Sequence, residues 1–320
     1  MLAVVGHEGP FEQGRQQIEL LAGLSITTKS VERTAEAIGA DIEVREQRQL
    51  AQALQLQLPI PIGPRIPVMY VEMDGTGIPV VRKETAGRAG KDGQPAHTRE
   101  VKLGCVFTQT KLDEEGYPLR DEDSTTYVGA IETAEEFGRR LYGEAWRRGW
   151  ARADKKVVLA DGSEWIWNQA ALHFPEATHI VDLYHSREHL GSVASKLYSN
   201  NEPARRRWLM VERDKLDAGK IEDLVQALRA LEASYPGLAE DIQKEANYFE
   251  NNQERMRYAE FRKQGLFIGS GVVEAGCKNV VGRLKQSGMF WTVRGANAII
   301  ALRCCQISTK FEDYWEARRA

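Results

Sequence analysis

Three acidic residues that lie far apart in the chain have surroundings typical of catalytic carboxylates. Asp74 and Asp161 each follow an apolar run and precede a glycine, which predicts an exposed carboxylate where a buried strand ends. Glu274 lies in the first turn of a predicted helix opened by Gly269-Ser270-Gly271, where the helix dipole favours a negative charge by roughly 0.3 to 1 kcal/mol. Two strands that end in this way bring two acids to one sheet edge, and Glu274 is the candidate third acid.

Three carboxylates that converge need a cation, because their mutual repulsion would otherwise raise at least one pKa. Oxygen ligands with no nearby His or Cys suit Mg²⁺ or Mn²⁺ better than Zn²⁺. Two such ions activate an attacking oxygen and stabilise the leaving oxygen in phosphoryl transfer on a nucleic acid. We therefore expect Asp74, Asp161 and Glu274 to hold two divalent ions. The alternative is structural, since Asp-Gly is a common turn after a strand and a lone Glu is common in a first helical turn.

Basic residues cluster near these acids, although the whole chain carries a formal net charge of -3. Any attraction to a polyanion must therefore be local. The stretch from Glu274 to Arg303 contains five basic residues and one acidic residue, and the stretch 139–156 contains seven basic and two acidic residues. Lysines and arginines so placed would neutralise a phosphodiester backbone. For the stretch from Glu274 to Arg303, a solvated helix face is an equally good explanation.

The three acids can meet only if their strands share one sheet. The hydrophobic pattern predicts strands and helices in the order strand, strand, strand, helix, strand, helix, strand. The five strands are predicted at 66–73, 101–110, 125–128, 157–160 and 178–184, and the two helices at 132–150 and 164–172. This order predicts an α/β fold with a mixed sheet and helices on its faces.

The remaining segments are predicted to be helical. Residues 1–58 contain two helices around a turn at Ser25–Thr28, which is either a helix-turn-helix or an ordinary helical hairpin, and no basic cluster marks a recognition helix. Four prolines predict an extended linker over 59–67. We expect the sheet domain to comprise 68–199 and 267–320, separated by an all-helical insertion over 200–266. The helix after Ser270 should bury a stripe from Val273 to Leu284 and end at Gly288.

Composition excludes several classes of protein. With 42% hydrophobic and 28% charged residues in 320, the chain can form a core and is neither disordered nor fibrous. No apolar stretch approaches the roughly 20 residues that cross a bilayer, and no signal peptide is recognisable, so we expect a soluble intracellular protein without a membrane partner. The four cysteines lack C-x-x-C spacing and are expected to be reduced thiols: Cys105, Cys277, Cys304 and Cys305.

Several runs of the sequence resemble the bacterial insertion-sequence transposases of the ISKra family, distant relatives of the Mutator-like group. These runs are Met73-Asp74-Gly75-Thr76, Leu159-Ala160-Asp161-Gly162-Ser163-Glu164-Trp165-Ile166, Asp182-Leu183-Tyr184-His185, Gly269-Ser270-Gly271-Val272-Val273-Glu274, and Arg283-Leu284-Lys285-Gln286-Ser287-Gly288-Met289-Phe290-Trp291. The resemblance extends over nearly the whole chain, to the closing Tyr314-Trp315-Glu316-Ala317.

The resemblance implies an RNase H-like core, with a mixed five-stranded sheet, flanking helices and a helical insertion. It places a DDE triad with two Mg²⁺ or Mn²⁺ ions on Asp74, Asp161 and Glu274, and a D-x-x-H element on Asp182 and His185. Such an enzyme cleaves the ends of its element with water and transfers the freed 3′-hydroxyl to target DNA. We expect it to act as a homo-oligomer on DNA, in the cytoplasm at the nucleoid.

The implied DNA contacts lie around and after Glu274. The basic candidates are Lys278, Arg283, Lys285 and Arg294. Trp291 either stacks on a flipped or terminal base or belongs to the core. Family members usually carry more sequence in front of the region where this chain begins. The chain is therefore expected to be a fragment of a longer element or a separate short reading frame, and a catalytically inactive DNA-binding fragment is the alternative function.

One local motif points to another enzyme class. His185-Ser186-Arg187-Glu188-His189 matches H-x-x-E-H, the inverted zinc-protease signature, which places two imidazoles on one helical face beside a glutamate. A zinc metallopeptidase using His185, Glu188 and His189 is thus a remote alternative. The motif directly follows a predicted strand, and the D-x-x-H resemblance already accounts for His185.

Overall fold

Apolar runs of the sequence form the five strands of one mixed sheet. The structure is a computed structural model that describes residues 1–54, 62–90 and 93–319. Its strands are β1 (Ile66–Pro79), β2 (Thr98–Gln109), the short hairpin pair β3 (Lys111–Leu112) and β4 (Pro118–Leu119), β5 (Thr126–Ala130), β6 (Ala153–Ala160) and β7 (Thr178–Val181). The main sheet has the order β5-β2-β1-β6-β7. β2 is antiparallel to β1 and β5, whereas β6 is parallel to β1 and β7.

Helices cover both faces of this sheet. Three precede it, α1 (Leu2–Glu8), α2 (Phe11–Ala22) and α3 (Thr28–Leu54), and two lie between its later strands, α4 (Ala134–Arg148) and α5 (Glu164–His173). Helix α4 packs directly on β2, since a Cβ at Gly104 would lie 2.8 Å from the Leu141 side chain. The prediction of a mixed five-stranded sheet with flanking helices is confirmed.

The segment after β7 is helical up to residue 263. Its helices are α6 (Leu183–Leu197), α7 (Glu202–Asp217), α8 (Ile221–Ser234), α9 (Ala239–Asn251) and α10 (Tyr258–Lys263). Their apolar stripes face one another, and Leu216, Leu224, Leu228 and Phe249 are fully buried. The helical spacing predicted this segment only from residue 200, whereas α6 already begins at Leu183, inside the strand predicted over 178–184. The buried residues of the segment belong to the same core as the sheet, and the turn at Gln253–Arg255 contacts β7.

The last part of the chain packs on the face of the sheet opposite to α4. It contains α11 (Gly271–Gly276), α12 (Val293–Ile307) and α13 (Phe311–Arg319). The helical path of α11 continues as a π-helical turn over Cys277–Val281 and a 3₁₀ turn that ends at Lys285. The predicted end at Gly288 is thus three residues too late, because the backbone is already extended at Gln286.

The N-terminal helices pack on this last segment. Val31 and Ala35 of α3 are buried as the spacing predicts, and α3 lies along α12. The two helices approach so closely that a Cβ at Gly39 would lie 1.9 Å from the Ala298 carbonyl oxygen. The apolar face of α3 therefore serves internal packing, as in an ordinary helical hairpin.

Two predicted boundaries fall near the start of β1. Residues 55–61, which hold the end of the predicted helical region and the start of the predicted proline linker, lie outside the described residues. The linker was predicted to end at Pro67, but β1 already begins at Ile66. Pro67 is tolerated there because its neighbours Ile66 and Val68, and not Pro67 itself, pair with β6.

The four cysteines are free thiols, and Cys105 and Cys304 are deeply buried. Within the described ranges, every helix is too short or too polar to cross a bilayer.

A buried carboxylate links α4 to the C-terminal helices and makes stability depend on acid pH. Burial alone would raise the pKa of Glu144, but Lys310 and Arg147 outweigh it and lower that pKa to about 2. Lys310 Nζ lies 2.7 Å from Glu144 Oε1. Because the folded pKa is depressed from 4.5, this contribution is complete above about pH 4.5 and is lost as the pH falls towards 2.

We expect Glu144→Gln to lower the free energy of unfolding at pH 7 by roughly 2 to 4 kcal/mol, because two cations lose their common partner. The difference from the unchanged protein should shrink on acidification below pH 4.5. Urea unfolding across a pH series measures both quantities. A loss of stability that stays constant down to about pH 2 would contradict the assignment.

Candidate active site

Asp74 and Asp161 are brought together by the register of two parallel strands. The last residue pair between β1 and β6 is Met73 with Ala160, so the two aspartates occupy the next position on each strand. Neighbouring strands lie about 4.8 Å apart. The predicted meeting of two acids at one sheet edge is thus present for this pair.

The structure corrects the position of Asp74 within its strand. Asp74 was predicted to end β1, but β1 continues to Pro79, where Asp74 pairs with Leu103 of β2. The strand continues because β2 extends beyond the end of β6 and supplies hydrogen-bond partners as far as Pro79. Up to Met73, β1 pairs with both β2 and β6, and from Asp74 onwards it pairs with β2 only. Asp161 follows the end of β6 as predicted.

The Asp74 carboxylate lies on the sheet face that α11 covers. It accepts hydrogen bonds from the Gly75 N–H (2.6 Å) and from the Cys277 thiol (3.1 Å). Burial raises the pKa of Asp74, those two hydrogen bonds lower it, and the neighbouring Asp161 raises it again. The effect of Asp161 is repulsion between the two carboxylates, which a cation between them would relieve.

The Asp161 carboxylate is oriented by the loop that leads into α5. The Ser163 N–H donates to Asp161 Oδ1 (2.8 Å) and the Ser163 hydroxyl donates to Oδ2 (3.1 Å). Gly162 allows α9 to close over this loop, since a Cβ there would lie 2.1 Å from Cε2 of Tyr248. The helical segment after β7 thus contacts the loop that carries Asp161.

Glu274 projects from α11 into the same cleft. Its side chain is exposed, and its Oε1 accepts a hydrogen bond from the Ser270 hydroxyl (3.2 Å). The cleft has a volume of about 280 Å³. Its walls are formed by Met73, Asp74, Asp161, Tyr184, His185, Glu188, Ser270 and Glu274. All three predicted acids therefore line one cavity, although they come from three separate parts of the chain.

Asp182 connects the wall that carries His185 to the wall that carries Glu274. It is almost fully buried and caps α6 by accepting a hydrogen bond from the His185 N–H (2.6 Å). Its other oxygen accepts from the Ser270 N–H and from the Ser270 hydroxyl (2.9 Å). Asp182 does not line the cleft, so its observed role is to position Ser270 and the turn before Glu274. His185 does line the cleft.

The donor atoms of the cleft suit a hard divalent cation. The three acids offer only carboxylate oxygens, and Asp74 and Asp161 are adjacent and repel each other. Over the described residues, no three His, Cys, Asp or Glu side chains are already gathered tightly enough for one metal ion. A cation would have to replace hydrogen bonds that these carboxylates now accept from Cys277, Ser163 and Ser270.

A further carboxylate, which was not predicted, is buried under α11 close to the cleft. Glu72 is fully buried two residues before Asp74, and its Oε2 accepts a hydrogen bond from the Val273 N–H of α11 (2.7 Å). Burial raises the pKa of Glu72 to about 8, although the Val273 hydrogen bond opposes the rise. Glu72 thus anchors α11 on the sheet. An acidic residue inside the apolar run 68–73 was the signal that could have revealed it.

The candidate DNA-contacting residues divide into exposed and buried groups. Lys278, Lys285 and Arg294 are exposed, and Lys285 Nζ donates to the Thr76 hydroxyl beside Asp74. Lys285 also lowers the pKa of Asp74, which places its charge close to the acidic cleft. These three side chains remain available to a polyanion.

The structure contradicts a surface role for Arg283 and Trp291. Both are buried, and the Arg283 guanidinium lies 5.1 and 5.5 Å from the ring centres of Phe11 and Trp291, which also contact each other. Trp291 also donates its indole N–H to the Leu284 carbonyl (3.0 Å). Of the two roles considered for Trp291, the structure places it in the core. The sequence could not show this, because Phe11 comes from the other end of the chain.

The basic stretch 139–156 is largely occupied by internal contacts. Arg140 is buried and pairs with Glu132 (2.7 Å), while Arg148 donates to the Ser124 carbonyl (2.8 Å). Lys156 pairs with Glu176 (3.2 Å). Much of the positive charge of this stretch is therefore used in contacts within the fold, and not on a face open to DNA.

The H-x-x-E-H motif does not form a metal site in this structure. His185 Nδ1 pairs with Glu188 (3.4 Å), whereas His189 Nδ1 pairs with Glu245 of α9 (2.6 Å). The His189 ring also stacks on Tyr248 at 3.7 Å. The two imidazole rings are 5.1 Å apart, but His189 packs against α9 whereas His185 and Glu188 line the acidic cleft.

Comparison with models of known protein families finds no match to this chain, and no curated protein matches it. The functional assignment therefore depends on the geometry of the cleft and on the sequence runs described above.

Proposed function

We propose that the chain is a DDE-type transposase that cleaves DNA strands at the ends of an insertion sequence and transfers them to target DNA. One observation carries the proposal: Asp74, Asp161 and Glu274, which are distant in sequence, line a single cleft. The three acids come from separate parts of the chain, so local sequence does not by itself account for their sharing a cavity.

The sheet is compatible with the RNase H-like core that this proposal requires. An antiparallel unit of β5, β2 and β1 is followed by β6 and β7, which run parallel to β1. In open sheets of this kind, ligands bind beyond the carboxyl ends of parallel strands. Asp161 follows the carboxyl end of β6, and Asp74 lies beside it on β1.

In the proposed reaction, Asp74, Asp161 and Glu274 would hold Mg²⁺ or Mn²⁺. Two bound ions would supply activation of the attacking oxygen and stabilisation of the leaving oxygen. The other residues of the cleft have supporting roles. Lys285 and Lys278 would neutralise DNA phosphates, and Asp182 would keep Glu274 in place through Ser270. DNA is thus the proposed partner, bound by a homo-oligomer.

The proposal is tested by incubating the chain with DNA that carries the flanking repeats of its reading frame. We expect strand cleavage in Mg²⁺ or Mn²⁺ and none after chelation. DNA binding without cleavage in either metal would instead support the inactive DNA-binding fragment. Cleavage that persists in chelator would refute a metal-dependent mechanism.

DNA binding should weaken steeply as salt increases, because each neutralised phosphate releases a counterion. We expect Lys285→Ala to weaken binding to all sequences alike and to reduce the magnitude of the salt slope by about 1. Binding isotherms at a series of salt concentrations measure this slope. Lys196→Ala is a suitable comparison, since Lys196 forms an exposed pair with Asp241 (2.6 Å), does not line the cleft and should leave the slope unchanged.

A further inference from the structure

An exposed aromatic ring stands at the wall of the acidic cleft. Tyr184 is 62% exposed, yet it lines the same cavity as Asp74, Asp161 and Glu274. It is the first-turn residue of α6 that lies between Asp182 and His185. A large exposed ring beside a polar site offers a flat apolar surface to a ligand, and such surfaces are typical of binding sites.

The ring is held in place before any ligand arrives. Gly269 lies so close to the ring that a Cβ there would be 2.9 Å from Tyr184 Cε2 and 3.1 Å from Cδ2. The Arg187 guanidinium lies over the ring, 5.7 Å from its centre, and Arg187 is itself paired with Asp217 of α7 (3.3 Å). The backbone is fixed too, since the Leu183 N–H donates to the Ile268 carbonyl (2.9 Å).

These contacts leave much of the ring open. Gly269 lies near Cδ2 and Cε2 and Arg187 lies over the ring, yet the side chain is 62% exposed and lines the cleft. A flat ligand can therefore stack on the open part of the ring.

We propose that Tyr184 is the stacking platform for an unpaired nucleobase next to the phosphate that is cleaved. This inference rests on the proposed function, because it places a nucleic acid in the cleft. Nucleobases stack on aromatic side chains with little dependence on sequence, which suits a site where a DNA end is opened. Tyr184 thereby takes the role considered for Trp291, which is buried.

The experiment measures stacking separately from cleavage. A short duplex with a single-stranded 3′ overhang that carries 5-iodouracil is bound to the chain in chelator and irradiated, and the cross-linked residue is identified by mass spectrometry. Affinity for the same overhang is measured for Tyr184→Leu and Tyr184→Phe. Tyr117→Leu is the matched control, because Tyr117 is 59% exposed but does not line the cleft. Circular dichroism verifies the fold of each variant.

We expect the cross-link at Tyr184, and a loss of affinity of about 5- to 150-fold in Tyr184→Leu. Tyr184→Phe should bind within about twofold of the unchanged chain, since it keeps the ring. No binding of the overhang, equal binding by Tyr184→Leu, or an equal loss in Tyr184→Phe would overturn the stacking role.

Cleavage by the unchanged chain in Mg²⁺ is measured alongside. If the unchanged chain cleaves DNA and Tyr184→Leu binds the overhang as tightly as the unchanged chain does, the stacking role is overturned and the proposed transposase activity is not. A cross-link at Tyr184 and loss of affinity in Tyr184→Leu, without cleavage, supports the stacking role and tells against the proposed transposase activity.

Discussion

Asp161→Asn is expected to abolish Mg²⁺-dependent strand cleavage while leaving DNA binding intact. Asparagine keeps the size of the side chain and can still accept the Ser163 N–H, but it removes the negative charge beside Asp74. Metal ions stabilise the charge of the transition state by several kcal/mol, so losing a ligand should lower the rate on the order of 10³-fold or more. Single-turnover cleavage and a binding assay in chelator measure the two effects separately.

The thermal midpoint gives a second measure of the same substitution. Mg²⁺ should raise the midpoint of the unchanged chain because a ligand that binds only the folded state stabilises it. In Asp161→Asn that rise should be much smaller. Asp214→Asn is the matched control, since Asp214 is exposed on α7 and away from the cleft. Undiminished cleavage by Asp161→Asn would end the assignment of Asp161 as a metal ligand.

Asp182→Ala is expected to reduce both stability and cleavage. The substitution leaves the N–H groups of His185 and Ser270 without their acceptor, and the Ser270 hydroxyl keeps only Glu274. Hydrogen bonds to a buried charge contribute about 1.5 to 3 kcal/mol each and are not additive, so we expect a loss of roughly 3 to 5 kcal/mol in the free energy of unfolding. Urea unfolding measures this loss.

Ser270→Ala separates the positioning of Glu274 from the stability of the fold. It removes the hydroxyl that contacts Asp182 and Glu274, but it keeps the backbone N–H that donates to Asp182. We expect a stability loss of only about 1 kcal/mol together with a clear fall in the cleavage rate. If Ser270→Ala cleaves DNA at the normal rate, the link from Asp182 to Glu274 has no part in catalysis.

The helical segment after β7 and most strands could be predicted because burial imposes a local period on the chain. Leu224 and Leu228 recur four residues apart where one helix face is buried, and the continuous apolar run 157–160 marks a strand covered on both faces. The end of β1 could not be predicted in this way. Its length depends on how far β2 extends beside it, which is a property of the pairing and not of residues 66–79.

The candidate acids were also predictable, for a related reason. A carboxylate after an apolar run, followed by glycine, marks Asp74 and Asp161 as candidates, although the same pattern is also a common turn. The accessory residues gave weaker signals. Gly269 and Ser270 appear in the sequence as an ordinary helix start. In the fold, Ser270 donates a hydrogen bond to Asp182 and Gly269 packs against Tyr184.

The sequence by itself therefore determined which residues have the chemistry for this site, because residue type and local burial pattern are properties of short segments. Only the tertiary structure decided which of them share a cleft. It placed Asp74 beside Asp161 through the β1 and β6 register, buried Arg283 and Trp291 under Phe11, and left Tyr184 exposed. Such outcomes depend on packing between residues far apart in the chain, and no local pattern records that packing.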